Sequence, residues 1–124
     1  MTHTERTVLC YLRTHRRVWG LTQQELASLM GFESTAHVSR IENGKRAPTI
    51  ESAFACQVLF GIPPSAMFPH AYEVVEERVI RDVYRLHLVL ENTTNPSGLR
   101  KRELFSLALE RAINSPNTRE RYDA

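Results

Sequence analysis

The stretch from Leu21 to Pro48, LTQQELASLMGFESTAHVSRIENGKRAP, leaves the chain little choice of local structure. Thr22 followed three residues later by Glu25 is a capping box, in which each residue satisfies an orphan backbone N–H of the other. A helix is therefore predicted from Thr22, with Leu26, Leu29 and Met30 as its apolar stripe and Gly31 as the left-handed residue that ends it. After a tight turn through Phe32 and Glu33, Ser34 or Thr35 can cap a second short helix. That helix keeps Val38 and Ile41 on one face and stops at Asn43-Gly44. Its other face carries Thr35, Ala36, His37, Ser39 and Arg40, mostly small or hydrogen-bonding groups that can enter a groove lined with base edges.

Two short helices joined by a glycine-containing turn, the second polar outside, have the sequence form of a helix-turn-helix. The run Leu21 to Ala27, then Gly31, then Val38-Ser39-Arg40-Ile41-Glu42-Asn43-Gly44-Lys45-Arg46 and Pro48, closely resembles the Cro/C1-type (XRE-like) helix-turn-helix family of DNA-binding regulators. The likeness extends from about Leu9 to about Phe68, and its motifs are specific taken together. One departure is visible: the turn Gly31-Phe32-Glu33-Ser34 is one residue longer than the usual family turn, which bears on the register of Ser34 to Ala36.

The resemblance implies an all-α fold: a five-helix Cro/C1-type (lambda-repressor-like) bundle that binds double-stranded DNA. Carried onto matching positions, Thr35, Ala36, His37 and Arg40 face base edges, with Ser34 and Ser39 as secondary candidates. Arg40 suits the O6 and N7 of guanine, His37 can donate to an acceptor, and Ala36 can touch a thymine methyl. The family places a phosphate-contacting glutamine at Gln23, and Asn43, Lys45 and Arg46 match backbone-contacting positions. Gln24 shares the first turn of the capped helix, where free N–H groups attract an anion, and Arg17 can join from the preceding helix. The family also pairs the residue at Arg16 with the glutamate at Glu42, which implies a salt bridge from the first helix to the end of the recognition helix.

Charge agrees in distribution rather than in total. Net charge is only +2, and all of that excess falls in residues 1–69, whereas residues 70–124 balance. Arg100-Lys101-Arg102 lies in the balanced part beside Glu103 and reads as a solvated helix face. No run approaches the roughly 18 apolar residues of a membrane span, and Met1 to Arg17 is too polar for a secretory signal, so a cytoplasmic protein is expected. Cys10 and Cys56 have no partner at metal spacing and read as small hydrophobes in a reducing compartment. Without a glycine-rich phosphate loop, metal spacing or a nucleophile motif, neither enzyme activity nor a metal or cofactor is expected.

Along the chain, Met1 to Arg6 reads as frayed, and Thr7 caps a first helix to about Val18 with Val8, Leu9, Leu12 and the stem of Arg16 inward. Trp19 reads as a core lid, since duplex DNA offers it no unstacked base. Thr49 caps a fourth helix with Ile50, Phe54, Val58 and Leu59 in the core before Gly61, and Met67 and Phe68 are core plugs of a short fifth. Pro69 marks a boundary between a DNA-binding domain over 1–69, with its motif at about 22–43, and a helical hairpin over 70–113. Ala71 to Glu91 reads as one helix with a heptad-like seam at Tyr72, Val75, Val79, Val83, Leu86 and Leu90, and with Val74, Ile80, Tyr84 and Leu88 widening it. The turn formers Asn92 to Gly98 lead to a second helical pattern over Leu99 to Ile113, giving an αα-hairpin. Such a thin hairpin leaves apolar area most simply buried against a second copy, so a homodimer through residues 71–113 is expected, with 114–124 a loose tail.

The function expected is a transcriptional regulator, a repressor reading a roughly palindromic duplex site. The alternative is an antitoxin-like interaction module whose hairpin holds a partner protein and whose DNA binding serves autoregulation. A phage or plasmid control protein would use the same mechanism.

Overall fold

The structure, a computed structural model, describes residues 9–115, and within them every regular element is an α-helix. The described residues form two compact units that divide between Tyr72 and Glu73. The expected fraying of Met1 to Arg6, the Thr7 cap and Val8 lie outside the described residues, as does the tail from Pro116 onward.

In the first unit, α1 (Leu12–Val18), α2 (Gln23–Leu29), α3 (Thr35–Glu42), α4 (Ile50–Phe60) and α5 (Pro64–Met67) surround one core. Its fully buried side chains include Leu12, Leu26, Val38, Cys56 and Met67, with Met30, Ile41 and Phe68 nearly so. Each large apolar member contributes about 1.5–3 kcal/mol of burial. The helix starts follow their capping residues. Thr22 and Glu25 form both arms of the capping box at 2.9 and 3.0 Å. Ser34 rather than Thr35 caps α3, its Oγ accepting from Ala36 N at 3.2 Å, and Thr49 caps α4 by accepting from Ser52 N at 3.1 Å. α5 opens with Pro64 at its first position, where a missing N–H costs nothing.

Three expectations for the first unit are corrected. The first helix does not reach back through Leu9: it begins at Leu12, because the N–H of Tyr11 is drawn to the carbonyl of Met67 at 2.9 Å. Leu9 instead lies over Gly44, where an added Cβ would come within 2.5 Å of its Cδ1. Trp19 is no lid. It is 71% exposed, since it sits at the C-cap of α1, off the face that buries Leu12.

The third correction concerns α4. Its buried face is Ser52, Ala53 and Cys56, while Ile50, Phe54, Val58 and Leu59 are exposed. The helix is apolar nearly all round, so spacing alone does not tell which stripe faces in. Small residues are seated inward, and the Ser52 hydroxyl is satisfied locally by the Thr49 carbonyl at 2.9 Å. Burial raises the thiol of Cys56 to about 11 and also raises that of Cys10, which is half-buried with its Sγ 3.5 Å from the Ile41 carbonyl. Both cysteines are free thiols.

The long helix α6 (Pro69–Val89) starts two residues earlier than expected, with Pro69 as its first residue. In the second unit it is followed by α7 (Pro96–Ile113). α7 likewise starts earlier, because Asn95 caps it, its Oδ1 accepting from Ser97 N at 2.8 Å, with Pro96 at the first position. His87 Nε2 lies 2.9 Å from Ser106 Oγ, and Arg102 donates to the Glu91 carbonyl at 2.8 Å, fixing the two as an antiparallel pair. The seam is turned relative to the expected one. Toward α7, Ile80, Val83 and His87 of α6 and Leu90 just after it are partly covered, whereas Tyr72, Val75, Val79 and Leu86 are exposed. On α7 the partly covered positions are Arg102, Phe105, Ala108, Leu109 and Ala112, while Leu104 and Ile113 are exposed. No side chain of α6 is fully buried. None of the helices among the described residues is long and apolar enough to cross a membrane.

Candidate nucleic-acid interface

Helix α3 is divided sharply. Val38, Ile41 and Glu42 are buried, Thr35, Ala36 and Arg40 are exposed, and His37 and Ser39 are intermediate. The Ser34 cap fixes the register, making Thr35 the first helical residue. The helix ends in a Schellman motif: Lys45 N donates to the Arg40 carbonyl at 2.8 Å and Gly44 N to the Ile41 carbonyl at 3.1 Å. Gly44 takes φ +71°, which an L side chain resists, so the chain turns there and sends Lys45 and Arg46 out exposed beyond the C-terminus of α3.

A buried carboxylate locks this helix to its neighbours. Arg16 Nε donates to Glu42 Oε2 at 2.6 Å and its Nη2 to Oε1 at 3.2 Å, while Arg16 Nη1 holds the Leu21 carbonyl at 3.1 Å. Gln23 Nε2 donates to Glu42 Oε1 at 3.0 Å, and Arg13 Nε reaches the same oxygen at 3.5 Å. The side chain of Glu42 has no solvent exposure and that of Arg16 has 11%. Burial alone would push the Glu42 carboxyl up. The hydrogen bonds from Arg16, Gln23 and Arg13, with the Arg16 charge, outweigh it and hold the group below the usual carboxylate range. The hydrogen bond to Glu42 in turn raises the Arg16 guanidinium.

The basic loop is tied back as well. Arg13 Nη2 bonds to Asn43 Oδ1, and Asn43 Nδ2 lies 3.4 Å from Ser39 Oγ. Arg46 Nη1 lies 2.9 Å from His37 Nδ1, and the His37 ring stacks on Phe32 at 5.0 Å between centroids and 17° between planes.

Of the residues singled out from the sequence, the structure thus brings Arg16, Gln23 and Glu42 together, and separately His37 with Arg46. The Gln23 amide keeps a second N–H beyond the one given to Glu42. Thr35, Ala36 and Arg40 share the exposed face of α3, and Ser39 lies between them, partly covered. Arg17, Gln24 and Lys45 are exposed, and among the described residues no side-chain bond ties them to these clusters. Sequence reasoning missed Arg13 and Phe32. Arg13 was findable as the residue one turn before Arg16, on the same side of α1. Phe32 was findable only as the aromatic residue of the turn Gly31-Phe32-Glu33-Ser34.

Among the described residues no group of His, Cys, Asp or Glu is arranged to hold a metal ion. A family model described as helix-turn-helix matches residues 20–66, from the turn before α2 into α5. No curated protein and no solved structure matches the chain significantly.

Proposed function

Through its α2–α5 segment the chain belongs to the Cro/C1-type helix-turn-helix family, a family of DNA-binding regulators, and from that premise we propose that it is a cytoplasmic homodimeric repressor of transcription. Two copies of α3 enter successive major grooves of a roughly palindromic site, with half-sites about one helical turn, roughly 34 Å, apart. Arg40 takes the bidentate role on guanine, and Thr35, Ala36 and His37 read neighbouring base edges, with Ser34 and Ser39 at the margin. Arg17, Gln23, Gln24, Asn43, Lys45 and Arg46 hold phosphates, which sets register and affinity without reading sequence. The single observation that carries this reading is the exposed polar row of α3 standing over an inward face keyed by Glu42.

Dimerisation is assigned to residues 71–113. The support is the exposed stripe Tyr72, Val75, Val79 and Leu86, too apolar to be left to solvent on a helix of this length. The same stripe is what favours the second reading, an antitoxin-like module whose hairpin holds a partner protein. Light scattering separates them, since a stable dimer accounts for the stripe and a monomer points to a missing partner.

The test of the main reading is selection of bound duplexes from a random pool, followed by salt titration of the winner against an unrelated duplex. A palindromic winner that binds on the order of 10³-fold or more tighter is expected. Recovery of no common sequence would refute sequence-specific reading.

A further inference from the structure

The geometry points to Arg46 as a positioning residue that decides which hydrogen-bonding edge His37 shows to a base pair, so that specificity at that pair depends on a side chain outside α3. This deepens the base-reading role proposed for His37 and rests on it. A guanidinium can only donate. With Arg46 Nη1 2.9 Å from His37 Nδ1, that ring nitrogen must be the acceptor. The ring proton is thereby placed on Nε2, which has no bonded partner among the described residues.

Phe32 completes the clamp. Its ring lies nearly parallel to the imidazole at 5.0 Å, so the ring plane is held as well as its tautomer. Phe32 is itself fixed, because its N–H closes the Schellman motif of α2 on the Ala27 carbonyl at 2.8 Å. The turn between α2 and α3 thus brings an aromatic face against the third residue of α3.

The consequence is chemical. A neutral imidazole free to choose its tautomer can either donate or accept at Nε2, whereas this one only donates there. It suits the acceptors of the major groove, guanine O6 and N7 or thymine O4, and meets the amino edge of cytosine with two opposed donors. A phosphate contact by the remaining N–H groups of Arg46 would affect all sequences alike and cannot produce this preference.

Two measurements on the full chain test the assignment. In the free protein, ¹⁵N-resolved NMR of the His37 side chain should show a bare Nδ1 and a protonated Nε2 in wild type. Arg46→Met should show both tautomers. In duplex binding, His37→Ala identifies the base pair that His37 reads, as the position where preference relaxes. Wild type should disfavour the cytosine edge there by about fivefold, the size of one hydrogen bond. Arg46→Met should lose most of that discrimination at the same pair, in addition to any uniform loss of affinity. The assignment is overturned if Arg46→Met leaves the nitrogen signals unchanged, or weakens all duplexes equally. If wild type selects no sequence at all, the reading of α3 fails, yet the NMR comparison still decides whether Arg46 sets the tautomer. Urea unfolding of the variants controls for misfolding.

Discussion

The two units of this chain use similar proportions of apolar sequence to different ends. The first encloses part of it: Leu12, Leu26, Val38 and Met67 are fully buried and even a carboxylate is sealed in with its partners, although Ile50, Phe54 and Val58 of α4 stay exposed. The second displays it: α6 buries no residue, and of α7 only Gly98 is buried. One unit therefore encloses a core of its own, while the other has only a surface that something can cover. The contrast teaches that two helices alone, however apolar, cannot enclose a core, whereas five short ones around a common centre can.

The largest effect should come from the sealed carboxylate. Glu42→Ala leaves Arg16 buried without its partner and should destabilise the first unit by about 3–5 kcal/mol in urea unfolding. Its pH dependence has a definite sign. Because the folded carboxyl lies below its ordinary value of 4.5, the stabilisation is fully present above that value and is lost as pH falls through the folded one. The stability gap between wild type and Glu42→Gln should accordingly be widest near neutrality and close in acid. A gap that does not change with pH would show that Glu42 acts by shape and not by charge.

Paired truncations test the contrast directly. Leu26→Ala should cost about 2–5 kcal/mol at any protein concentration. Leu86→Ala, at a position 44% exposed, should cost under about 0.5 kcal/mol in dilute solution. If a second copy covers the stripe, the cost of Leu86→Ala should grow with protein concentration. Equal costs for the two would remove the distinction between the units.

Separation of tasks gives a third test. Val79→Glu should reduce affinity for a palindrome by on the order of 10²-fold through lost avidity, with preference within each half-site unchanged. Arg40→Ala should do the converse, relaxing preference at one base position at a cost of about 1–3 kcal/mol. The smallest change belongs to Lys45→Ala, which should weaken all duplexes alike and lower the salt slope by about one. Competition binding at several salt concentrations reads all three. An Arg40→Ala protein with unaltered preference would refute its role on bases.

How far the sequence carried these conclusions depended on which physical signal each element offers. Capping residues are local, so Thr22 and Thr49 announce their helix starts directly, and Ser34 is one of the two caps the sequence offers α3. Val38 and Ile41 were legible because polar neighbours on the other face of α3 give the period a direction. α4 has no such contrast, and its heavier stripe, Ile50, Phe54 and Val58, reads as the inner one although it faces out. The hairpin seam failed for a related reason: with apolar residues on more than one face of α6, the side chosen by α7 depends on where Asn95 and Pro96 start that helix. At the interface, the outward row followed from periodicity and the match to a known motif. Arg13 shares a side of α1 with Arg16, but its bond to Asn43 crosses 30 residues of sequence, and the stacking of Phe32 on His37 depends on how the turn between α2 and α3 folds, so neither partner is announced by spacing.

The knot of bonds around Glu42 joins α1, α2 and α3 at a single pair of oxygen atoms. For the reading helix proposed here, bonds of this kind leave little compliance, so a mismatch in groove width falls mainly on the nucleic acid. Binding should then track how easily a duplex bends at steps that no side chain touches, and stiff central sequences should be rejected even when every contacted letter is correct.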